Sequence, residues 1–514
     1  MGSALSKAPP AVKPRDKARA KAARDHIEPI VHQLEALGGK IEGQVLLAPA
    51  GPAAIGVEET DPSYEEEAEQ YHAQRERPFY FNDANYPSAI VLAKTAEDVC
   101  ETVKVISALD HSTYKLCIAG GCHSHYCMVD HTIVIDLQQL NKCTVNKDTS
   151  TISIQGGAKI QDAHAALKGT GLGFATGTNG DTGISGLTMA GGAGFLGGQA
   201  GYGCDTVVSA QVVLPSGEMV TANDDNEHAD LMRALRGGGG NFGVVVEWTF
   251  KLFDVSNSFG GTVVHMAPTI PSLTKVLDKY AECLKEIPDQ AGSICALPAG
   301  APVFVNVLTA IGSDVLKEAD AKYSDLPFLN KISNLGAWFR VQNDLGRKDY
   351  IDEIATLLEP VQQRTYGIAL GAMVYSFDEE MRKALIHFTR TEYPKKNHGC
   401  AIIVVCLNGE MRRNDGLKSG LRHRKAEAWV IFEAAWKPQA SEEDIQAVKD
   451  WGAKAKARII ELGGEDGPHN FCDTDGRRIK FFTDEQRAFL EKTKKKYDPN
   501  NLLTLNKNVV SHSE

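Results

Sequence analysis

The chain has 514 residues, 43% hydrophobic and 24% charged, which is ordinary globular material with room for two or more domains. Its net charge of −11 argues against nucleic acid as a partner for the body of the protein. The eleven cysteines lack the short paired spacings of zinc sites, there is no apolar leader, and no apolar run approaches the roughly 18 to 20 residues of a membrane span, so an intracellular, cytoplasmic protein without a metal is expected.

Met1-Gly2-Ser3-Ala4-Leu5-Ser6 fits the N-myristoylation pattern, with Gly2 as acceptor, and a basic segment from Lys7 to Arg24 follows. An acyl chain beside a polybasic patch would hold a membrane surface; a solvated amphipathic helix behind an initiator dipeptide is the plainer alternative. Residues 1–79 read as an appendage, partly helical or disordered, ending in the acidic stretch Glu58 to Glu69.

From Pro87 the pattern tightens. Ile90-Val91-Leu92 reads as a strand, and Thr95 caps a helix that carries Val99, Val103 and Ile106 on one face. Lys115 to Ile118 is the next strand of a βαβ unit and delivers the turn Ala119-Gly120-Gly121. Ile133 to Leu137 is a further strand, Thr144-Val145 and Ile152 to Ile154 a hairpin, and Ile160 to Leu167 a helix stopped by Gly169.

Thr176 to Gly203 then reads TGTNGDTGISGLTMAGGAGFLGGQAGYG. Glycines let a backbone approach a large flat ligand and turn its N–H groups toward phosphate or carbonyl oxygens, while Ile184, Leu187, Met189, Phe195 and Leu196 want burial and exclude a flexible linker. Val207 to Leu214 is a strand, and Asp230 to Leu252 a short helix, a four-glycine turn and a strand. Past Leu252, to about residue 460, strands alternate with amphipathic helices and glycine becomes sparse, the texture of a second domain.

The three glycine-dense turns, at 119–124, 176–203 and 237–243, match neither G-x-G-x-x-G with an acidic residue downstream nor G-x-x-x-x-G-K-[ST], and no G-x-S-x-G is present. A dinucleotide threaded among several loops remains. His123, at the tip of the first turn, is by itself more readily a structural residue or a cap than a functional one.

Four segments carry a resemblance: AGGCHS at 119–124, GTNGDTGISGLTMAGGAGFLGGQAGYGCD at 177–205, ALRGGGGNFGVV at 234–245 and YDPNNLLTLNKNV at 497–509. In this order they resemble the FAD-linked oxidases of the vanillyl-alcohol-oxidase superfamily, within the berberine-bridge-enzyme-like group. The resemblance covers about residue 80 to the C-terminus. It implies an α+β fold with a PCMH-type FAD-binding domain in two segments, 80–255 and 470–514, around an inserted substrate domain at 256–469, an antiparallel sheet flanked by helices. It implies FAD bonded covalently through His123, with Gly120, Gly121, Cys122 and Ser124 in the pyrophosphate turn. Asn179, Thr182, Gly183 and Gly186 would form the second cofactor loop, Gly243 and Val245 the adenine end, and Asn506 and Asn508 the closing segment.

The departures are equally specific. Asn179 stands where many relatives carry a second flavin-linking cysteine, so a single bond is expected. Thr182 falls at the position taken to gate oxygen, usually valine or isoleucine in oxidases. Pro468-His469-Asn470-Phe471 replaces Y-x-N-Y and loses both tyrosines, one of which often acts as base. Because hydride removal requires a proton acceptor, His469, His125, Tyr126 and Glu433 are the candidate bases, with His469 preferred.

The implied activity is oxidation of a small alcohol, sugar or amine-type metabolite by hydride transfer to flavin N5, with O2 as acceptor and hydrogen peroxide as product. A dehydrogenase using another acceptor, and a flavoprotein without turnover that serves as a scaffold, are the alternatives.

Overall fold

The computed structural model describes residues 16–50, 62–80, 85–124, 126–312, 322–359, 364–396, 399–413, 419–467, 469–471, 482–505 and 507–510. Gly2, His125 and Asn506 lie outside the described residues, as does the side chain of His469.

The first sheet contains β1 (Gln44–Leu47), β2 (Ala89–Leu92), β3 (Lys115–Ala119) and β4 (Thr132–Asp136) in the order β1-β2-β4-β3, with β2 and β3 both parallel to β4. Strand β2 is buried along its whole length, as expected of a strand covered on both faces. Thr95 caps the helix Ala96–Ser107 in a reciprocal capping box with Asp98. The same Asp98 carboxylate accepts from the backbone N–H groups of Glu42 and Gly43, just ahead of β1. Residues 16–50 and 62–79 are therefore built into the body of the fold, where an appendage was expected: β1 extends the first sheet, and Ile27, Leu34 and Tyr71 are fully buried. Their apolar partners lie in strands distant in sequence, so nothing local announces the packing.

The second sheet is antiparallel, β5 (Cys143–Asn146), β6 (Thr151–Gln155), β8 (Val207–Val213), β9 (Met219–Asn223) and β10 (Val244–Lys251), ordered β5-β6-β10-β8-β9. The short β7 (Leu172–Gly173) pairs with β11 (Phe253–Asp254).

Among the described residues the third sheet has nine strands: β12 (Ser258–Met266), β13 (Ala291–Pro298), β14 (Val303–Ile311), β15 (Arg340–Asn343), β16 (Gly346–Arg347), β17 (Tyr366–Val374), β18 (Ala401–Cys406), β19 (Ala428–Trp436) and β20 (Glu465–Asp466). They run antiparallel in the order β15-β12-β14-β13-β18-β19-β17-β20, with β16 also on β12. Alternation divides the side chains between two faces. Cys295, Val404, Val430 and Phe432 pack under the helices Ile270–Leu284 and Glu442–Glu461. Ile294, Val307, Val405 and Ile431 join the core of the first half of the chain.

The C-terminal helix Asp484–Tyr497 returns to that first half. Its Lys494 is buried and donates to the carbonyls of Asn241 and Leu503 and to Asp498, each at 2.7 Å, fastening the helix to the glycine turn at 237–243.

Candidate active site

A cavity of about 1560 Å³ lies between the glycine-rich loops and the inner face of the nine-stranded sheet. Its loop side is backbone against backbone. A Cβ at Gly121 would lie 2.2 Å from the nitrogen of Gly183, and one at Gly183 would lie 2.4 Å from the nitrogen of Gly121, so only glycine permits the two turns to touch. Cys122 takes φ 56, and this left-handed turn sends its carbonyl to the N–H of Phe79 at 2.8 Å. The Phe79 ring thereby stacks on His123, with centroids 4.2 Å apart and planes at 21°.

Asp181 Oδ2 stands 3.8 Å from His123 Nε2, and Asp181 also pairs with Lys159. Burial pushes the Asp181 carboxyl up, but His123 and Lys159 together outweigh it and bring its pKa down to about 2. Thr182 Oγ1 lies 3.5 Å from both nitrogens of the His123 ring.

The sheet side is read from its register. One row across the strands is Val307, Ile294, Val405, Trp429 and Met373. The next is Val305, Ala296, Ile403, Ile431 and Gly371. The third is Pro298, Ala401, Glu433 and Ala369. Glu433 thus stands as a lone carboxylate between two alanines. Tyr80 donates to its Oε2 at 3.1 Å. Burial pushes the Glu433 carboxyl up to about 7, against the opposing effect of the Tyr80 hydroxyl. Tyr80 is held in place by a bridge to Thr365, whose N–H donates to the Phe79 carbonyl at 3.2 Å.

The glycine at 371 allows the Trp429 indole to lie low over the sheet, since a Cβ there would meet Trp429 Nε1 at 2.8 Å and Phe471 Cβ at 3.0 Å. Trp429 and Phe471 meet edge to face at 4.6 Å.

At the far end, Tyr375 Oη contacts both His423 Nδ1 and Glu465 Oε2 at 2.8 Å, and Arg422 pairs with Glu465 at 2.6 Å. Burial keeps the His423 imidazole below the ordinary histidine pKa although Glu465 opposes it. With the single Tyr375 proton donated to Glu465, a neutral His423 carries its own proton on Nδ1 and leaves Nε2 as an acceptor. That atom is buried without a partner. Beside it, Arg424 grips Asp205 with two contacts of 2.6 Å, clamping the end of the glycine-rich loop.

Gly120, Gly121, Cys122, His123, Ser124, Asn179, Thr182, Gly183, Gly186, Gly243 and Val245, all expected around the cofactor, line this single cavity, as do Tyr126 and Glu433. Asn508 is not among the residues lining it, and its Oδ1 accepts from the N–H of Val510 at 3.2 Å. Of the segment 468–471, Asn470 donates to the Gly186 carbonyl at 3.1 Å, so the motif that lost its tyrosines still meets the second glycine loop. Phe79, Tyr80, Asp181, Lys159 and His423 were not among the expected site residues. The aromatic pair Phe79-Tyr80, ahead of the first recognisable strand, was the available signal for two of them.

The glycine cradle and the orphaned acceptor of His423 suit a long, flat ligand with a polar edge, as FAD is. Residues 87–223 match the FAD binding domain family. An FAD-linked oxidoreductase of Dictyostelium discoideum is 25% identical over 451 residues, 86% of this chain and 93% of its own length. The chain is an FAD-dependent oxidoreductase. Its fold agrees with 6-hydroxy-D-nicotine oxidase of Arthrobacter nicotinovorans at a TM-score of 0.75 and 20% identity, covering 91% of this chain and 98% of that one. Berberine bridge enzyme of Eschscholzia californica superposes at 0.71 and 19% identity, covering 87% and 94%. The oxidoreductase therefore has the mixed α/β architecture of the PCMH-type flavin oxidases, the fold that the motifs implied.

Proposed function

We propose that this oxidoreductase removes a hydride and a proton from an alcohol, sugar or amine-type metabolite, with FAD held through His123 and Glu433 as the proton acceptor. FAD bound there would supply the two-electron acceptor, with O2 as the final oxidant and hydrogen peroxide as product. The observation that carries the reading is the placement of one half-buried carboxylate, Glu433, across a single cavity from His123. Its pKa of about 7 is matched to taking a proton near neutral pH, and the Tyr80 hydroxyl fixes its orientation.

Glu433 replaces His469 as the preferred base, because Glu433 combines a cavity position, a positioned hydrogen bond and a tuned pKa. Asp181 and Lys159 hold the Nε2 side of His123, which leaves Nδ1 for a bond to the flavin. Asn179 in the facing loop offers no second attachment point. Thr182, beside the His123 ring, occupies the position from which oxygen access would be tuned.

Denatured holoenzyme should retain flavin on the polypeptide, and a tryptic peptide containing His123 should carry the FAD mass; His123→Ala should lose it. Substrate-reduced enzyme mixed with aerated buffer should reoxidise and release peroxide. Persistence of the reduced flavin under oxygen would replace the oxidase reading with that of a dehydrogenase. A flavin that no metabolite reduces would leave the protein a binding module.

A further inference from the structure

The inner face of the nine-stranded sheet selects the substrate more narrowly than the reaction does. We infer that the substrate is a flat, largely apolar compound, such as an aromatic alcohol or amine, and not a carbohydrate, with its oxidisable carbon at the Glu433 end of the floor. This rests on the reading of Glu433 as proton acceptor.

Across the three rows of the floor, every side chain but one ends in carbon or in the indole of Trp429. The indole N–H is itself buried, turned onto Gly371, and contributes no polar surface to the cavity. Glu433 is the exception, and its flanking partners, Ala401 and Ala369, have no hydrogen-bonding groups in their side chains. A carbohydrate carries a hydroxyl on nearly every carbon, and each one pressed on this floor would lose water without gaining a partner, at about 1–3 kcal/mol apiece. An aromatic ring system loses nothing there and gains from burial against Ile403, Ile431 and Val405.

Of the other polar lining groups among the described residues, Tyr80 is tied to Glu433 and Asn470 to the Gly186 carbonyl. His123, Ser124, Tyr126 and Ser185 stand on the loop wall, Tyr202 at the clamped end of the glycine-rich loop, and Thr365 and Tyr366 where β17 begins. Arg422 and His423 are tied to Glu465 at the far end. Thr178, Asn179 and Thr182 belong to the glycine-rich wall. Lys437, Gln439 and Arg364 are exposed at the rim, where β19 ends and β17 begins. Gly186 and Asn470 are exposed at another edge of the cavity, and Glu433 sits just inside the Lys437 rim on β19.

The reaction on such a substrate is balanced. The carbon gives up a hydride to the two-electron acceptor, the adjacent O–H or N–H gives its proton to Glu433, and a C=O or C=N double bond replaces the two bonds broken. The proton leaves Glu433 at the nearby rim.

The test uses holoenzyme without oxygen, titrated with 2-naphthalenemethanol, 2-naphthylmethylamine and cellobiose while flavin absorbance is followed. A naphthyl probe should bind at least about a hundredfold more tightly than cellobiose, and at least one should bleach the flavin. Tighter binding or faster bleaching by cellobiose, or no response to either class, overturns the inference. Glu433→Gln separates the two ideas. If the variant binds the naphthyl probe as wild type does but no longer bleaches, both stand. If it bleaches at the wild-type rate, the proton-acceptor reading falls while the substrate class survives. If cellobiose bleaches the wild type but not Glu433→Gln, the class falls and the acceptor survives.

Discussion

The two walls of the cavity are built on opposite principles. The loop wall is specified by what its residues lack, because Gly121 and Gly183 touch only where neither has a Cβ. The floor is specified by which side chain each strand turns inward, and its single carboxylate stands out because its neighbours are alanines. A wall made of backbone can hold one cofactor and little else, whereas a floor made of side chains can be rewritten residue by residue without disturbing the strands beneath. The cofactor is therefore fixed by the fold, and the substrate by a few positions upon it.

The sharpest way to probe the contrast is Glu433→Gln, which keeps the floor's shape and removes its chemistry. Flavin content should be unchanged while the rate of anaerobic flavin reduction falls by about 10²–10⁴-fold, read by stopped flow. The same substitution made in each wall should then have different consequences. Gly183→Ala drives a methyl group into the Gly121 backbone and should cost about 3 kcal/mol or more, seen as loss of bound flavin and a lower unfolding midpoint. Gly371→Ala meets only the Trp429 indole and Phe471, so it should leave flavin content intact and raise KM by about tenfold as the indole is lifted into the cavity. Equal loss of flavin in both variants would erase the distinction between the walls.

The smallest effects concern pH. Glu433 must be ionised to accept a proton, so the reduction rate should rise as pH passes through about 7 and level off above it. Tyr80→Phe removes a hydrogen bond that favours the ionised form, so the same rise should move to higher pH, by about one unit or less. A rise that moves to lower pH would contradict the assigned donor.

The loop wall was legible in the sequence because its requirement is local: a run of glycines interrupted by buried apolar residues has few other uses, and the cap at Thr95, the hairpin at β5 and β6 and the strand at β8 follow from equally local patterns. The floor was not. Glu433 could be picked out on its strand, but its rank among four candidate bases depended on Tyr80, 353 residues away, and on which alanines the pairing of β17 and β18 brings beside it. His423 was not singled out as a site residue for the same reason, since its unpartnered nitrogen follows from Tyr375, just past β17, and Glu465 on β20. The part of the chain set aside as an appendage ends on Phe79, with Tyr80 directly after it, and the packing partners of both begin only beyond the next strand.

Those two adjacent residues have a geometric consequence. Phe79 rests on the histidine of the cofactor wall and Tyr80 on the carboxylate of the floor, and Phe79 is pinned through its N–H to the Cys122 carbonyl and through its carbonyl to the Thr365 N–H. The clearance between the walls at that end is therefore set by one dipeptide and two rings, so relatives built this way would have little freedom to raise the ceiling over the reacting carbon. Room for larger substrates has to be found further in, along the rows that lead away from Glu433, where exchanging one aliphatic side chain for a smaller one lengthens the site without moving the place where the chemistry occurs.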